Sequence, residues 1–285
     1  MKDLAGLLAP HIVGSCWRVV ETQETAATMA ITHSAAEQSR LEELLDTSKP
    51  KIPADCKGLS YLLMTPFRYP PLRYGSRFGS TWERGIFYGS CELKTAFAET
   101  AVYFWLFQQG PKTPGPLEHI RDQRTAFSVK LISQKALDLH SDEFSQADEK
   151  INSPDSWDYT QQLGKQLRAS GAEFIIYPSA RLAGGKNIAI FSPLAFAEKE
   201  PAQQHLWHVR FTTDSCVFVR AGISEGFEFY RKDFSVDGKI PHPALAITKT
   251  VANTSWDDFF LSKETVTEDF LSERATQEQS DREKF

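Results

Sequence analysis

Apolar and polar positions alternate along the chain in patterns that change period several times. Leu4, Leu7 and Leu8 share one face of a short N-terminal helix that Pro10 ends, and residues 16–20 read as a strand. Residues 34–45 (SAAEQSRLEELL) have helical spacing, with Leu41, Leu44 and Leu45 on one side. Ser34 is placed to cap that helix and Glu37 to complete a capping box. Residues 59–64 (LSYLLM) fit a mostly buried strand, residues 65–79 a loop rich in Pro, Arg and Tyr, and residues 85–88 a short strand. The run 91–107 predicts a helix that is apolar nearly all round, capped by Ser90 and buried on most faces. Strands are expected at 126–132, 173–177, 187–191, 205–211 and 216–220, and a surface helix at 159–169 stopping at Gly171. Residues 133–158 read as irregular. Past residue 251 the sequence turns polar and reads as a solvated tail.

Helices and strands do not alternate strictly, so the pattern predicts one α+β domain rather than a doubly wound sheet. Neither repeats nor an interdomain linker are visible.

Composition narrows the class. The 285 residues are 41% hydrophobic and 24% charged, as in a soluble globular protein. A net charge of −5 argues against nucleic acid as a direct partner. Cys16, Cys56, Cys91 and Cys216 are far apart and read as free thiols of a reducing compartment, with neither a zinc knuckle nor a disulfide framework. The N-terminal apolar run is too short for a signal peptide or membrane span, so a cytoplasmic protein is expected.

Candidate chemistry centres on Glu99, a lone acid inside the apolar run AFAETAVYFW. A buried carboxylate is costly unless it is paired or does chemistry, and both readings stand at this point. Arg68, Arg73, Arg77 and Arg84 surround a proline turn; arginine forks suit phosphate or carboxylate oxygens, and Gly75 and Gly79 would let backbone approach a ligand. The alternative is a set of exposed surface arginines. Tyr69, Tyr74 and Tyr88 suit either a planar ligand or the core. Ser179 follows a strand end and precedes a Gly184-Gly185 turn, the mark of a plain hairpin or of a presented hydroxyl; no serine-hydrolase elbow surrounds it. His205 and His208 fall on opposite strand faces and make no metal pair, and no Walker or Rossmann fingerprint is present.

Five short motifs occur in order: Arg77-Phe78, Phe87-Tyr88-Gly89-Ser90, Thr95-Ala96-Phe97-Ala98-Glu99, Pro178-Ser179, and Asn187 through Ser192-Pro193. Together they make residues 59–195 resemble the RES-domain family, toxins of RES–Xre toxin–antitoxin modules. The resemblance implies a fold similar to ADP-ribosyltransferases, with a mixed sheet and flanking helices. It implies consumption of NAD+ as substrate, with phosphate or water as acceptor, or transfer of ADP-ribose to a protein; a non-catalytic nucleotide-binding module is the remaining reading. It further implies Glu99 and Arg77 as catalytic residues, Arg68, Tyr69, Tyr88 and Ser179 as NAD+-binding residues, no metal or other cofactor, and a cognate Xre-type antitoxin as protein partner. The division expected is an N-terminal extension (1–57), the RES-like domain (58–250) and a polar tail (251–285).

Overall fold

The longest strand sets the frame. β3 (His119–Asp138) runs for 20 residues, three times the expected length, and pairs with three partners along different stretches. The computed structural model describes residues 4–22, 31–109 and 115–243, so the expected C-terminal tail lies outside the described residues. Antiparallel to β3 lie β1 (Ala9–Glu21), from Ala9↔Ala136 to Glu21↔Arg124, and β6 (Gln203–Thr212), from His119↔Thr212 to Ser128↔Gln203. β4 (Phe174–Pro178) joins the end of β3 in parallel, through Ala136↔Phe174 to Asp138↔Ile176. β5 (Lys186–Ile190) pairs with β4 and with β2 (Phe87–Ser90), and β2 touches β1 through Trp17↔Ser90. The pairings therefore close on themselves in the cycle β1–β2–β5–β4–β3–β1. β7 (Ser215–Arg220) and β8 (Gly226–Tyr230) extend the sheet beyond β6.

Residues 9–21, expected within an extension packed on the domain, are thus a strand of its central sheet. The expected N-terminal helix reduces to one turn at Ala5–Leu7, because Pro10 bars helix continuation while an extended chain gains the ladder with β3. Val13 and Cys16 both point inward although three residues apart; an extra residue between the pairs Val13↔Leu131 and Cys16↔Val129 makes this possible.

Three helices were legible in outline. α1 (Ala35–Ser48) is capped as expected: Ser34 Oγ accepts from Glu37 N at 3.1 Å, and Glu37 Oε2 accepts from His33 N at 2.7 Å. It buries none of its residues, so the leucine stripe faces no core. α2 (Tyr61–Arg68) occupies the stretch expected to be a strand. Leu63, Met64 and Phe67 lie on one helical face and are buried, and an apolar run of six cannot by itself tell the two periods apart. α3 (Leu93–Gln108) is the buried helix expected, but Glu92 rather than Ser90 precedes it, and Ser90 ends β2. The irregular stretch holds the short α4 (Asp148–Ile151), and α5 (Asp158–Ala169) ends before Gly171, whose φ of +82° suits glycine.

The sheet is covered on both faces. Phe174, Ile176, Ile188 and Ile190 enter one cluster with Phe87, Phe127 and Leu131. Ile175, Tyr177, Ala189 and Phe191 enter another with Phe78, Leu163 and Leu167 of the opposite side. That two-sided burial explains why β4 and β5 read as continuous apolar runs. α3 packs its third cluster on β6–β8, where Phe97 stacks on Phe218 at 4.3 Å and meets Trp207 edge-on at 4.7 Å. Cys16, Cys56 and Cys216 are buried free thiols and Cys91 is half-buried. Among the described residues, no helix is long and apolar enough to cross a membrane.

Candidate active site

A cleft of about 520 Å³ opens between β1, β2, α3 and the loop that follows α2. Its size lies in the range of small-molecule sites, roughly 300–1,000 Å³. Glu99 reaches it from the middle of α3. Ser179 Oγ donates to Glu99 Oε1 at 2.7 Å, and Asn187 Nδ2 donates to the same oxygen at 2.6 Å. Asn187 Oδ1 in turn accepts from buried Ser90 Oγ at 2.7 Å, which fixes which end of the amide faces the carboxylate. Two strands and a turn therefore hold one oxygen of Glu99. Oε2 accepts no hydrogen bond from the described residues.

Ser179 is buried beneath Glu99 and not on the cleft wall. Its Oγ also accepts from the backbone N–H of Arg181 (3.1 Å) and Leu182 (3.2 Å), so it orients the carboxylate and closes its own turn instead of presenting a free hydroxyl.

Arg77 lines the cleft, with Nη1 donating to the carbonyls of Ile151 (3.0 Å) and Ser153 (2.9 Å). Arg181 comes from the turn after β4, and its Nη2 donates to Pro154 O at 3.2 Å. Two guanidiniums are thus anchored on one stretch of backbone carbonyls and aimed at one space. Burial lowers the Arg181 pKa; Glu99 opposes that fall and Arg77 reinforces it.

Tyr88 braces the arginine loop. Its hydroxyl accepts from Phe78 N at 3.0 Å and donates to Ser76 Oγ at 2.9 Å, on both sides of Arg77, and burial raises its pKa. Gln161 Nε2 adds bonds to Tyr74 O (3.1 Å) and Ser76 O (3.0 Å). Gly75 has a φ of +72°, and a Cβ there would run into the carbonyl oxygen of Gly79, so its glycine serves the turn. Gly89 is needed because a Cβ would lie 2.5 Å from Cys16 Sγ, where β1 and β2 cross.

Tyr69 also lines the cleft, whereas Arg68 does not. Arg68 Nε donates to Pro50 O at 2.6 Å, tying α2 to the extended segment before it. Arg84 is likewise engaged elsewhere, in a two-pronged ion pair with Asp55 at 2.6 and 2.9 Å.

Several cleft residues were not anticipated. Asn187 stood in a motif of the family resemblance without a role; beyond that motif, its signal in the sequence is an amide opening an apolar strand. Arg181 sits two residues past Ser179. Trp17, Arg18 and Val19 arrive on β1, and Trp157, Tyr103 and His242 form an aromatic wall. His242 meets Trp157 edge-on at 5.1 Å and Tyr103 at 5.7 Å. Burial, then Arg181 and Arg77, push the His242 pKa down to about 4, so the ring is neutral at pH 7. Tyr103, on the cleft-facing side of α3, is more than half exposed, and what desolvation it has and then the neighbouring Glu99 charge both raise its pKa. Among the described residues, no group of three or more His, Cys, Asp or Glu is placed to hold a metal ion.

No curated protein matches the chain. A chain of the crystal structure of the M. tuberculosis MbcT–MbcA toxin–antitoxin complex is similar with a TM-score of 0.41 and 13% identity, over 75% of this chain and 94% of that one. The RES domain family model matches residues 52–212, more than half of the sequence, and takes in Arg77, Tyr88, Glu99, Ser179 and Asn187. The chain belongs to the RES-domain family, that of the toxins of RES–Xre toxin–antitoxin modules.

Proposed function

We propose that the protein is an NAD+-consuming toxin that cleaves the nicotinamide–ribose bond in the cytoplasm, with phosphate or water as acceptor. The observation that carries this reading is the held carboxylate. Glu99 has one oxygen fixed by Ser179 and Asn187 and the other open, inside a cleft that carries three arginines, Arg18, Arg77 and Arg181, as its remaining charged side chains. Such a site suits a ligand with a developing positive charge at one place and phosphates at another.

The C1′–N bond breaks with its electron pair passing to the nicotinamide nitrogen, which leaves neutral. The ribose carbon becomes oxocarbenium-like, and Glu99 stabilises that charge or grips the ribose hydroxyls. A phosphate oxyanion supplies the new C1′–O electron pair without needing to shed a proton; with water as acceptor, one proton leaves to solvent. Arg77 and Arg181 neutralise the pyrophosphate. Tyr69 and the Tyr74, Trp157 and Tyr103 wall pack on planar rings. Ser179, Asn187 and Tyr88 act through the groups they hold. A cognate Xre-type antitoxin would restrain the toxin by covering this cleft. The exposed Leu72 and Trp82 of the loop and Tyr103 at the wall supply apolar surface for that contact.

The test is nicotinamide release from NAD+ by the purified protein, with and without phosphate, beside Glu99→Gln. Release that falls about 100-fold or more in the variant, with NAD+ still bound, is the expected result. Phosphate dependence names the acceptor; labelled ADP-ribose appearing on protein would instead make it a protein-modifying transferase. Binding of NAD+ by folded protein with no release would make it a nucleotide-binding module.

A further inference from the structure

The aromatic part of the cleft is bridged by a ring from outside the family-matching segment, which ends at residue 212. Tyr74 and Trp157 pack on each other at 6.0 Å, and Tyr103 faces the cleft from α3. Among the described residues, Tyr103 makes ring contact with neither of that pair. His242 meets all three edge-on, at 5.1 Å from Trp157, 5.7 Å from Tyr103 and 6.4 Å from Tyr74. The gap between Tyr103 and the Tyr74–Trp157 pair is thus one ring wide, and a buried imidazole stands in it.

The backbone that brings this ring is built for the purpose. After β8 and the turn Arg231–Phe234 the chain reverses at the bridge Val236↔Lys239. Asp237 and Gly238 have φ of +51° and +73°, as a type I′ turn requires. Ile240 then plugs into the α3 cluster, fully buried. Its N–H donates to Gln109 Oε1 at 2.9 Å, and Arg231 Nη2 donates to the same oxygen at 3.0 Å. Gln109 follows the last turn of α3, the helix that carries Glu99. The chain is pinned two residues before the ring. Beyond that point Pro241 and Pro243 flank His242, and neither has an N–H to tie the stretch to the body.

The surroundings of the gap fit a different occupant better. Arg181 and Arg77 stand close enough to act on the charge of the ring there. Tyr103 lies one helical turn along α3 from Glu99, so the gap adjoins the carboxylate. A planar heteroaromatic ring joined through a sugar to phosphate answers all of these groups at once. The rings pack on it, the carboxylate meets the sugar and the guanidiniums meet the phosphate. A neutral imidazole answers the rings alone, since it brings no negative charge to the two arginines.

We propose that His242 is an autoinhibitory plug, a resident stand-in for the nicotinamide ring, and that the Pro241–Pro243 stretch swings aside when that ring enters the gap. That the ring is nicotinamide rests on the function proposed above; the plug itself does not.

The experiment is titration of wild type, His242→Ala and His242→Phe with nicotinamide and with inorganic pyrophosphate, which has no ring. KM and kcat for NAD+ are measured on the same proteins. Emptying the gap in His242→Ala is expected to raise nicotinamide affinity about fivefold or more, while His242→Phe, which refills it, shows no gain. Pyrophosphate affinity changes less than about twofold in either variant, and KM for NAD+ in His242→Ala falls about as far as nicotinamide affinity rises, with kcat within about threefold. A second measurement carries the test if His242→Ala fails to fold. In His242→Cys, maleimide labelling of residue 242 is read by peptide mass, which separates it from the four native thiols. Saturating nicotinamide should speed that labelling about threefold or more, because the side chain is driven out to solvent.

Weaker or unchanged nicotinamide binding in His242→Ala would make His242 a wall of the site and overturn the plug. Slower labelling in the presence of nicotinamide would do the same, and so would the absence of nicotinamide binding by all of these proteins. Neither the titration nor the labelling needs turnover. Nicotinamide-driven labelling in a protein that never cleaves NAD+ would therefore sink the proposed function and leave the plug standing. Cleavage of NAD+ with labelling unmoved would do the reverse.

Discussion

α1 and α3 are nearly equal in length, 14 and 16 residues, and both announce themselves in the sequence, yet they have opposite fates. α3 buries eight residues, packs against strands of the sheet and carries Glu99 into the cleft. α1 buries none, and Leu44 and Leu45 remain 50% and 38% exposed. Periodicity identifies a helix with an apolar side; it does not say that the fold supplies a surface for that side. What separates the two is the proportion of apolar residues off the stripe. α3 has no wholly polar face to give to water, so it must be enclosed, and the one acid within it must be answered by donors.

The widest gap between the helices should appear on truncation. Phe97→Ala removes a fully buried ring wedged between Phe218 and Trp207, and should cost about 3–5 kcal/mol in denaturant unfolding. Leu44→Ala on α1 should stay within about 0.5 kcal/mol. Comparable losses from both would show that α1 is buried in solution and end the contrast.

Acid should act through the α3 side as well. His242 packs on Tyr103, and its folded pKa of about 4 lies below the ordinary 6.5. The unfolded chain takes up a proton that the folded ring refuses, so stability is full above about pH 6.5 and falls toward pH 4. The loss is on the order of 3 kcal/mol for this group. Melting curves across that window should flatten in His242→Phe; an unchanged slope would mean that the ring titrates normally.

Smaller, and specific to chemistry, is the effect of the donors behind Glu99. Ser179→Ala leaves the carboxylate with Asn187 alone and strips an acceptor from two backbone N–H groups. We expect kcat for nicotinamide release to drop about tenfold with KM little changed. A fall in melting temperature with kcat intact would make Ser179 a turn residue only. The smallest effect belongs to α1: Ser34→Ala should cost about 1 kcal/mol of local helix stability, seen as faster amide exchange over residues 35–40, without altering nicotinamide release.

Elements whose cause is local were legible: the cap at Ser34, the stop at Gly171, the two-sided apolar runs of β4 and β5. So was the anomaly of Glu99. Elements whose cause is distant were not. Of β1 only residues 16–20 read as a strand; residues 9–15 are one because β3 lies beside them, and α2 is a helix because its Leu63, Met64 and Phe67 face meets a core; an isolated window of sequence contains neither partner. The site divides the same way. Arg77 and Tyr88 stood in a special-residue loop and a strand, but Arg18, Arg181, Asn187 and His242 become neighbours only through closure of the sheet. Arg68, in equally suggestive company, turned to a carbonyl at Pro50 because the helix beneath it points it there.

The cycle of strands also imposes an order in time. Glu99 leaves the ribosome long before its two donors, which lie 80 and 88 residues further along. At about 5–20 residues per second, Asn187 follows it by roughly 4–18 s. Until β5 has been made, β2 and β4 have no strand to join them, the ring stays open, and the carboxylate is an unheld side chain on a nascent helix. A chain cut short anywhere before residue 187 is therefore born without an assembled centre. Any hazard the cleft poses to the cell that makes it begins only once β5 has been made.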